Sequence, residues 1–80
     1  MKYIMFEDFS GAPVPIIFPK RIDFVEMREQ IPYTKVLSAG YVHVSTDAGF
    51  TCFGASKSLQ AQARAEDAGI ISAKLANPDL

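Results

Sequence analysis

The pattern of apolar and polar positions predicts four strands. Apolar and aromatic residues predict a first strand at Lys2–Phe6, which acidic residues follow. Three prolines between positions 13 and 19 leave only Ile16–Phe18 free to pair, which predicts a short edge strand with a blunted edge. The two strongest predicted strands are Lys35–Ser45 and Phe50–Ala55.

A first helix is predicted between the second and third strands. Asp23 can cap it, Glu26 three residues later completes a capping box, and Pro32 ends the element near Gln30. Ile22 and Met27 have the spacing of a hydrophobic staple. The apolar residues at helical spacing form one face that should pack on the sheet: Phe24, Met27 and Ile31.

A second helix is predicted near the C-terminus, with two alternative starts. Ser58 could cap a long helix, or a loop could lead to a helix that opens at Glu66-Asp67. In both cases Asn77-Pro78 is the expected end. Its apolar stripe consists of Ala68, Ile71 and Leu75.

These elements predict one small domain, residues 1–80, in the order ββαββα. Because the strands lie mostly in hairpins, we expect an α+β fold with an antiparallel sheet of about four strands and two helices on one face. A chain of 80 residues with 49% hydrophobic and 21% charged residues is typical of a globular domain.

Charge and cysteine content weigh against several functions. Eight Lys and Arg against nine Asp and Glu give a net charge of −1, without the basic excess typical of nucleic-acid binding. One cysteine excludes an internal disulfide and leaves no zinc-ligand cluster. No apolar run is long enough to span a membrane and the N-terminus lacks a signal-peptide core, so we expect a cytoplasmic protein. We expect no cofactor, because the sequence contains no GxGxxG or Walker pattern and no cluster of metal-ligating residues.

The stretch YVHVSTDAGFTCFG places the only histidine and the only cysteine in one predicted hairpin. A two-residue loop would set His43 opposite Cys52, whereas a three-residue loop ending at Gly49 would set Val44 opposite Cys52. We favour the second register, because it puts Val42, Val44, Phe50 and Cys52 on one face and separates His43 from Cys52.

In this register Cys52 is interpreted as a small buried apolar residue and Asp47 as a turn residue. The acidic pairs Glu7-Asp8 and Glu66-Asp67 are interpreted as solvated charge or as compensation of a helix dipole. If both helices cover the valine face, an aromatic patch remains exposed on the other: Tyr41, His43 and Phe53. We predict this patch as a protein-binding face, with coverage by a helix or loop as the alternative.

Short segments of the chain resemble a family of small uncharacterised proteins of tailed phages and prophages. The resemblance lies in MKYIMFE, SAGYV, CFGASKSL and RAEDAGII, which together span most of the chain. It implies a phage origin and a setting in the host cytoplasm, and it carries over no catalytic or binding residues.

The leading hypothesis is therefore a phage-type accessory protein that binds a host or phage protein through the open sheet face or an edge strand. The first alternative is a homo-oligomeric structural component. The second is a small thiol-dependent enzyme or redox sensor that uses Cys52 with His43. No nucleic-acid or membrane partner is expected.

Overall fold

The computed structural model describes residues 1–31, 35–45 and 49–75. It is an α+β fold in which a four-stranded antiparallel sheet has the order β2-β1-β3-β4. The elements are β1 (Lys2–Glu7), β2 (Pro13–Phe18), α1 (Phe24–Glu29), β3 (Lys35–Ser45), β4 (Gly49–Phe53), β5 (Ala55–Ser56), β6 (Ala61–Gln62) and α2 (Asp67–Leu75). The predicted class is confirmed, but the order ββαββα misses the β5-β6 ribbon.

The ribbon follows β4 directly and explains why the fourth strand ends at Phe53 rather than at Ala55. Gly54 adopts a φ of +79° and redirects the chain, and β5 then pairs with β6 as a separate two-stranded sheet. At the turn between them Gln60 has a φ of 54°, and its N–H donates to the Lys57 carbonyl at 3.1 Å. The segment contains few β-branched or aromatic residues, so its composition did not indicate strands.

The central strand β1 is buried on both of its faces. Its residues Tyr3, Ile4, Met5 and Phe6 are at most 1% exposed. Since successive side chains of a strand point to opposite faces, apolar cores must lie on both sides of the sheet.

The two helices cover opposite faces, so the expectation that both lie on one face is wrong. The α1 core contains Ile4, Phe6, Phe18, Phe24 and Ala39, and the α2 core contains Tyr3, Met5, Val42 and Ile71. The uninterrupted apolar run in β1 requires this arrangement, because one covered face would leave two large apolar side chains in water.

Helix α1 begins after Asp23, as predicted, but without the predicted capping box. Asp23 has the extended backbone of an N-cap, yet its side chain makes no capping hydrogen bond, and the first turn relies on the Met27 N–H donating to the Asp23 carbonyl at 3.0 Å. Phe24 is buried, and both Met27 and Ile31 pack against the α1 core, which confirms the predicted apolar face.

Helix α2 begins at Asp67, which confirms the shorter of the two predicted helices. Ile71 is buried and Ala68 is half-buried, as expected for its stripe. The expected end at residues 77–78 and the side chain of Leu75 lie outside the described residues.

The β3–β4 hairpin has neither of the two predicted registers. Val42 lies opposite Cys52, His43 opposite Thr51, and Val44 opposite Phe50. The register differs by two residues from the favoured prediction, so the predicted sorting of side chains between faces is correct while the predicted pairs are wrong. Asp47 lies outside the described residues.

Candidate protein-binding face

The predicted patch lies on the α1 face of the sheet, at its β4 side. The strand registers place Lys2, Tyr41 and Phe53 side by side across β1, β3 and β4. Tyr41 is half-buried, His43 is exposed and Phe53 is 52% exposed. The structure therefore brings Tyr41 and Phe53 together. His43 lies on the same face two residues further along β3, opposite Thr51.

A chain of ring contacts connects the patch to the core. Phe18 and Phe24 meet edge to face at 5.8 Å between ring centroids, and Phe24 meets Tyr41 in the same way at 5.9 Å. Tyr41 and Phe53 are stacked at 5.8 Å with 25° between their planes. Since Phe18 and Phe24 are buried, the exposed ring of Phe53 rests on a fixed support.

Gly54 allows this stack to form. An added Cβ at this position would lie 2.9 Å from Cδ2 of Tyr41, and the φ of +79° disfavours other residues. The glycine therefore lets the chain turn away from β4 directly beside the Tyr41 ring.

Lysines border the aromatic residues. Nζ of Lys2 donates to the Ile22 carbonyl at 2.8 Å and lies 5.0 Å from the centroid of the Phe24 ring. Lys20 is exposed, and with Lys2, Tyr41 and Phe53 it lines a shallow pocket.

The backbone of β4 has an open outer edge beside this patch. Val42 exchanges both backbone hydrogen bonds with Met1, at 2.8 and 3.3 Å, so its N–H and C=O point to the β1 side. In an antiparallel ladder, the residue opposite Val42 also directs its backbone groups away from the shared ladder. The N–H and C=O of Cys52 therefore point to the outer side of β4, and by alternation those of Phe50 do the same. Among the described residues, no backbone partner satisfies these N–H and C=O groups.

The other edge of the sheet is blunted. The same alternation directs the backbone N–H and C=O groups of the even-numbered residues of β1 toward β2. The backbone groups of the odd-numbered residues of β2 therefore point away from the sheet. Two of these, Pro13 and Pro15, have no N–H. This geometry also explains why β2 is longer than predicted. Pro13 and Pro15 can belong to the strand because the N–H groups that they lack would not have bonded to β1.

Cys52 and His43 do not form a joint site. Cys52 contacts the α2 core, whereas His43 points to the α1 face, so the sheet separates them. Cys52 is half-buried rather than fully buried. Burial raises the pKa of its thiol, a hydrogen bond with Tyr3 opposes that shift, and the Asp67 carboxylate adds to it. A thiol with a raised pKa is a poor nucleophile at neutral pH.

The structure contains a buried polar cluster that the sequence did not indicate. Asp67 lies in the first turn of α2, the position expected for compensation of the helix dipole, but it is fully buried rather than solvated. Its carboxylate accepts a short hydrogen bond from the Tyr3 hydroxyl and pairs with the Arg64 guanidinium through two contacts of 2.9 Å. The Arg64 backbone N–H donates to the same carboxylate at 3.0 Å.

The surroundings keep Asp67 charged. Burial alone would raise the pKa of its carboxyl, but the bonds from Tyr3 and Arg64 and the nearby Ser38 hydroxyl hold that pKa below its usual value. Burial and the neighbouring carboxylate raise the pKa of Tyr3 in turn. Ser38 Oγ is buried and lacks a partner in hydrogen-bonding geometry within the described part of the chain. The cluster therefore joins the start of α2 to the centre of the sheet.

In the other acidic pair, Glu7-Asp8, the second residue stabilises a turn. The Asp8 carboxylate accepts hydrogen bonds from the Ser10 N–H at 2.9 Å, the Ser10 hydroxyl at 2.6 Å and the Ala12 N–H at 2.9 Å. These bonds hold its pKa below the usual value. Asp8 thus orders the β1–β2 connection, which was not predicted.

Within residues 1–31, 35–45 and 49–75, no three His, Cys, Asp or Glu side chains are grouped as metal ligands, and no helix is long and apolar enough to cross a membrane. Comparison with protein families, curated proteins and solved structures found no significant match to this chain. The functional argument therefore rests on the geometry of the face and its adjoining edge.

Proposed function

We propose that the protein is a non-enzymatic interaction module that binds an extended segment of a partner protein along the outer edge of β4. The carrying observation is the row of outward N–H and C=O groups at Phe50 and Cys52, next to the supported ring of Phe53. Strand addition uses such a backbone edge for affinity and adjacent side chains for specificity. His43 and Tyr41 belong to the same face.

The difference between the two edges supports β4 as the docking strand. Unpaired edges promote unwanted association, and prolines are a common protection. β2 carries that protection at its outward positions, whereas β4, with the sequence GFTCF, contains no proline and no charge. The resemblance to small phage proteins favours a host or phage protein as partner, in a cytoplasmic setting.

Capture of partners from a bacterial lysate tests the proposal when paired variants are compared. Cys52→Pro removes an outward N–H without removing a β3–β4 hydrogen bond, and Cys52→Ala controls for the lost thiol. Phe53→Ser removes the supported ring, and Phe9→Ser removes a 90% exposed phenylalanine elsewhere. Circular dichroism verifies that each variant is folded.

A partner that binds the wild type, Cys52→Ala and Phe9→Ser, but not Cys52→Pro or Phe53→Ser, would support the proposal. Equal capture by all five proteins would refute it. A stable dimer without any partner, shown by light scattering on the same preparation, would favour the homo-oligomeric alternative.

A further inference from the structure

Two shallow pockets adjoin on the α1 face of the sheet and form one groove. The first is a cavity of about 480 Å³, lined by Lys2, Lys20, Tyr41 and Phe53. The second shares Lys2 and Tyr41 with it and extends to Lys57. We call these five residues the lysine–aromatic groove. A cavity of this volume lies in the range of small-molecule sites, and a ligand in it needs no contact with the backbone edge of β4.

The groove carries a local excess of positive charge. Three ammonium groups line it against one carboxylate, that of Asp23, although the whole chain has a net charge of −1. Lys20 and Lys57 are exposed, and neither takes part in an ion pair among the described residues. A concave surface lined by charges of one sign attracts ligands of the opposite sign, so the groove favours an anionic ligand.

Lys2 is held in place and still has donors for a ligand. Its Nζ donates to the Ile22 carbonyl at 2.8 Å and lies 5.0 Å from the centroid of the Phe24 ring. An ammonium group has three N–H donors, so two remain after this bond. Because the existing contacts already fix the side chain, a ligand that binds it removes little further conformational freedom.

The other end of the groove is an exposed aromatic ring. Phe53 is 52% exposed, and the Tyr41 ring stacks on it at 5.8 Å between centroids. Such a ring can accept a planar base by stacking. Tyr41 lies between Phe53 and Lys2 in the sheet, so the backbones of these two residues are two strand spacings apart, about 10 Å. A ligand that contacts both must carry its ring and its anionic group at opposite ends.

We propose that the lysine–aromatic groove binds a nucleotide whose base stacks on Phe53 and whose phosphate lies between Lys2 and Lys20. The sugar then lies over Tyr41. A phosphate monoester carries a charge of about −1.5 to −2 at pH 7, which suits two ammonium groups. The site uses side chains alone, so it needs neither a GxGxxG nor a Walker pattern, in which glycines bring backbone groups close to phosphates. It is independent of strand addition at β4.

Two-dimensional NMR titrations of the isotope-labelled protein test this site with AMP, adenosine, inorganic phosphate and tetra-adenylate. AMP should shift the amide signals of Lys2, Tyr41 and Phe53, and adenosine and phosphate should each bind at least about fivefold more weakly than AMP. Inorganic phosphate that binds as tightly as AMP, or AMP that leaves these signals unchanged, would overturn the inference. Tighter binding of tetra-adenylate than of AMP would support the site with a single strand as its ligand, and equal binding would support a free nucleotide.

Paired variants then locate the two ends of the ligand. Lys20→Gln should weaken AMP binding by about two- to fivefold, the range of one exposed ion pair, and the loss should shrink as salt is raised. Lys35→Gln is its matched control, since Lys35 is exposed at the start of β3. Phe53→Leu removes the ring but keeps an apolar side chain, and it should weaken binding by about fivefold or more, with the exposed Phe9→Leu as control. Equal effects within either pair would overturn the inference and leave the proposed function intact.

Discussion

The hydrogen bond between Tyr3 and Asp67 should account for a large part of the stability of this domain. Tyr3→Phe removes a hydroxyl that donates to a fully buried carboxylate. Hydrogen bonds to charged groups contribute about 1.5–3 kcal/mol. A domain of this size has a free energy of unfolding of about 4–12 kcal/mol. Losing this bond should therefore lower the Tm by about 6–24 °C.

Thermal and urea unfolding, followed by circular dichroism, measure the loss. Tyr41→Phe is the matched control, because it removes a hydroxyl that has no hydrogen bond among the described residues, and it should change stability by less than about 0.5 kcal/mol. Asp67→Asn should cost about 2–3 kcal/mol, less than a fully buried pair, because the Arg64 side chain is 30% exposed. The double variant Tyr3→Phe/Asp67→Asn should lose less stability than the sum of the losses of the two single variants, because both changes remove the same hydrogen bond.

The pH dependence of the same variants has a definite sign. Because the pKa of Asp67 is lowered in the folded state, its charged carboxylate contributes fully to the free energy of unfolding above the unfolded pKa of about 4. This contribution is lost as pH falls through the pKa of the folded state. The difference in free energy of unfolding between wild type and Asp67→Asn should therefore shrink on acidification. The pKa of Tyr3 is raised, so stability falls as pH rises above about 10. A Tyr3→Phe variant with the control's Tm at pH 7 would refute this reasoning.

Three further predictions test the packing, the register and the thiol. Gly40→Ala should lower the Tm, since the added Cβ would lie 2.6 Å from a backbone oxygen of β4. Gly69→Ala meets nothing within 4 Å and should raise the free energy of unfolding by about 0.5–1 kcal/mol through the higher helix propensity of alanine in α2. Equal Tm shifts for the two variants would contradict this packing. Val42→Cys should form a disulfide with Cys52 on mild oxidation and Val44→Cys should not, as mass spectrometry can show; the reverse would establish the other register. In native protein at pH 8, iodoacetamide should alkylate Cys52 more slowly than free cysteine, and urea should remove the difference; equal native rates would contradict the raised pKa of the thiol.

The hairpin shows what a strand pattern can and cannot predict. The alternation from Tyr41 to Val44 and from Phe50 to Phe53 correctly sorted the side chains between faces, because the period of a strand is two. A shift of two residues leaves that sorting unchanged, so hydrophobicity cannot choose between Val42 and Val44 as the partner of Cys52. The loop decides the register, and its sequence allowed more than one turn.

The placement of the helices could have been inferred, whereas the buried cluster could not. The run Tyr3–Phe6 contains no polar position, and such a run is typical of a strand covered on both faces. Arg64 and Asp67 stand three residues apart, which indicates a local ion pair at most. Their third partner, Tyr3, is 64 residues from Asp67, and no local pattern reports a contact of that range.

The fold also explains why the exposed edge and the aromatic face occur together. β4 pairs only with the second half of β3, and the ribbon packs beside the first half, where Gly40 allows close approach of the β4 end and Ala63. The ribbon therefore covers one half of the outer side of β3 and, by turning away at Gly54, leaves the edge of β4 open. The same turn places Phe53 at the border of the covered region, where Tyr41 supports it. One glycine turn thus creates both elements of the proposed docking site.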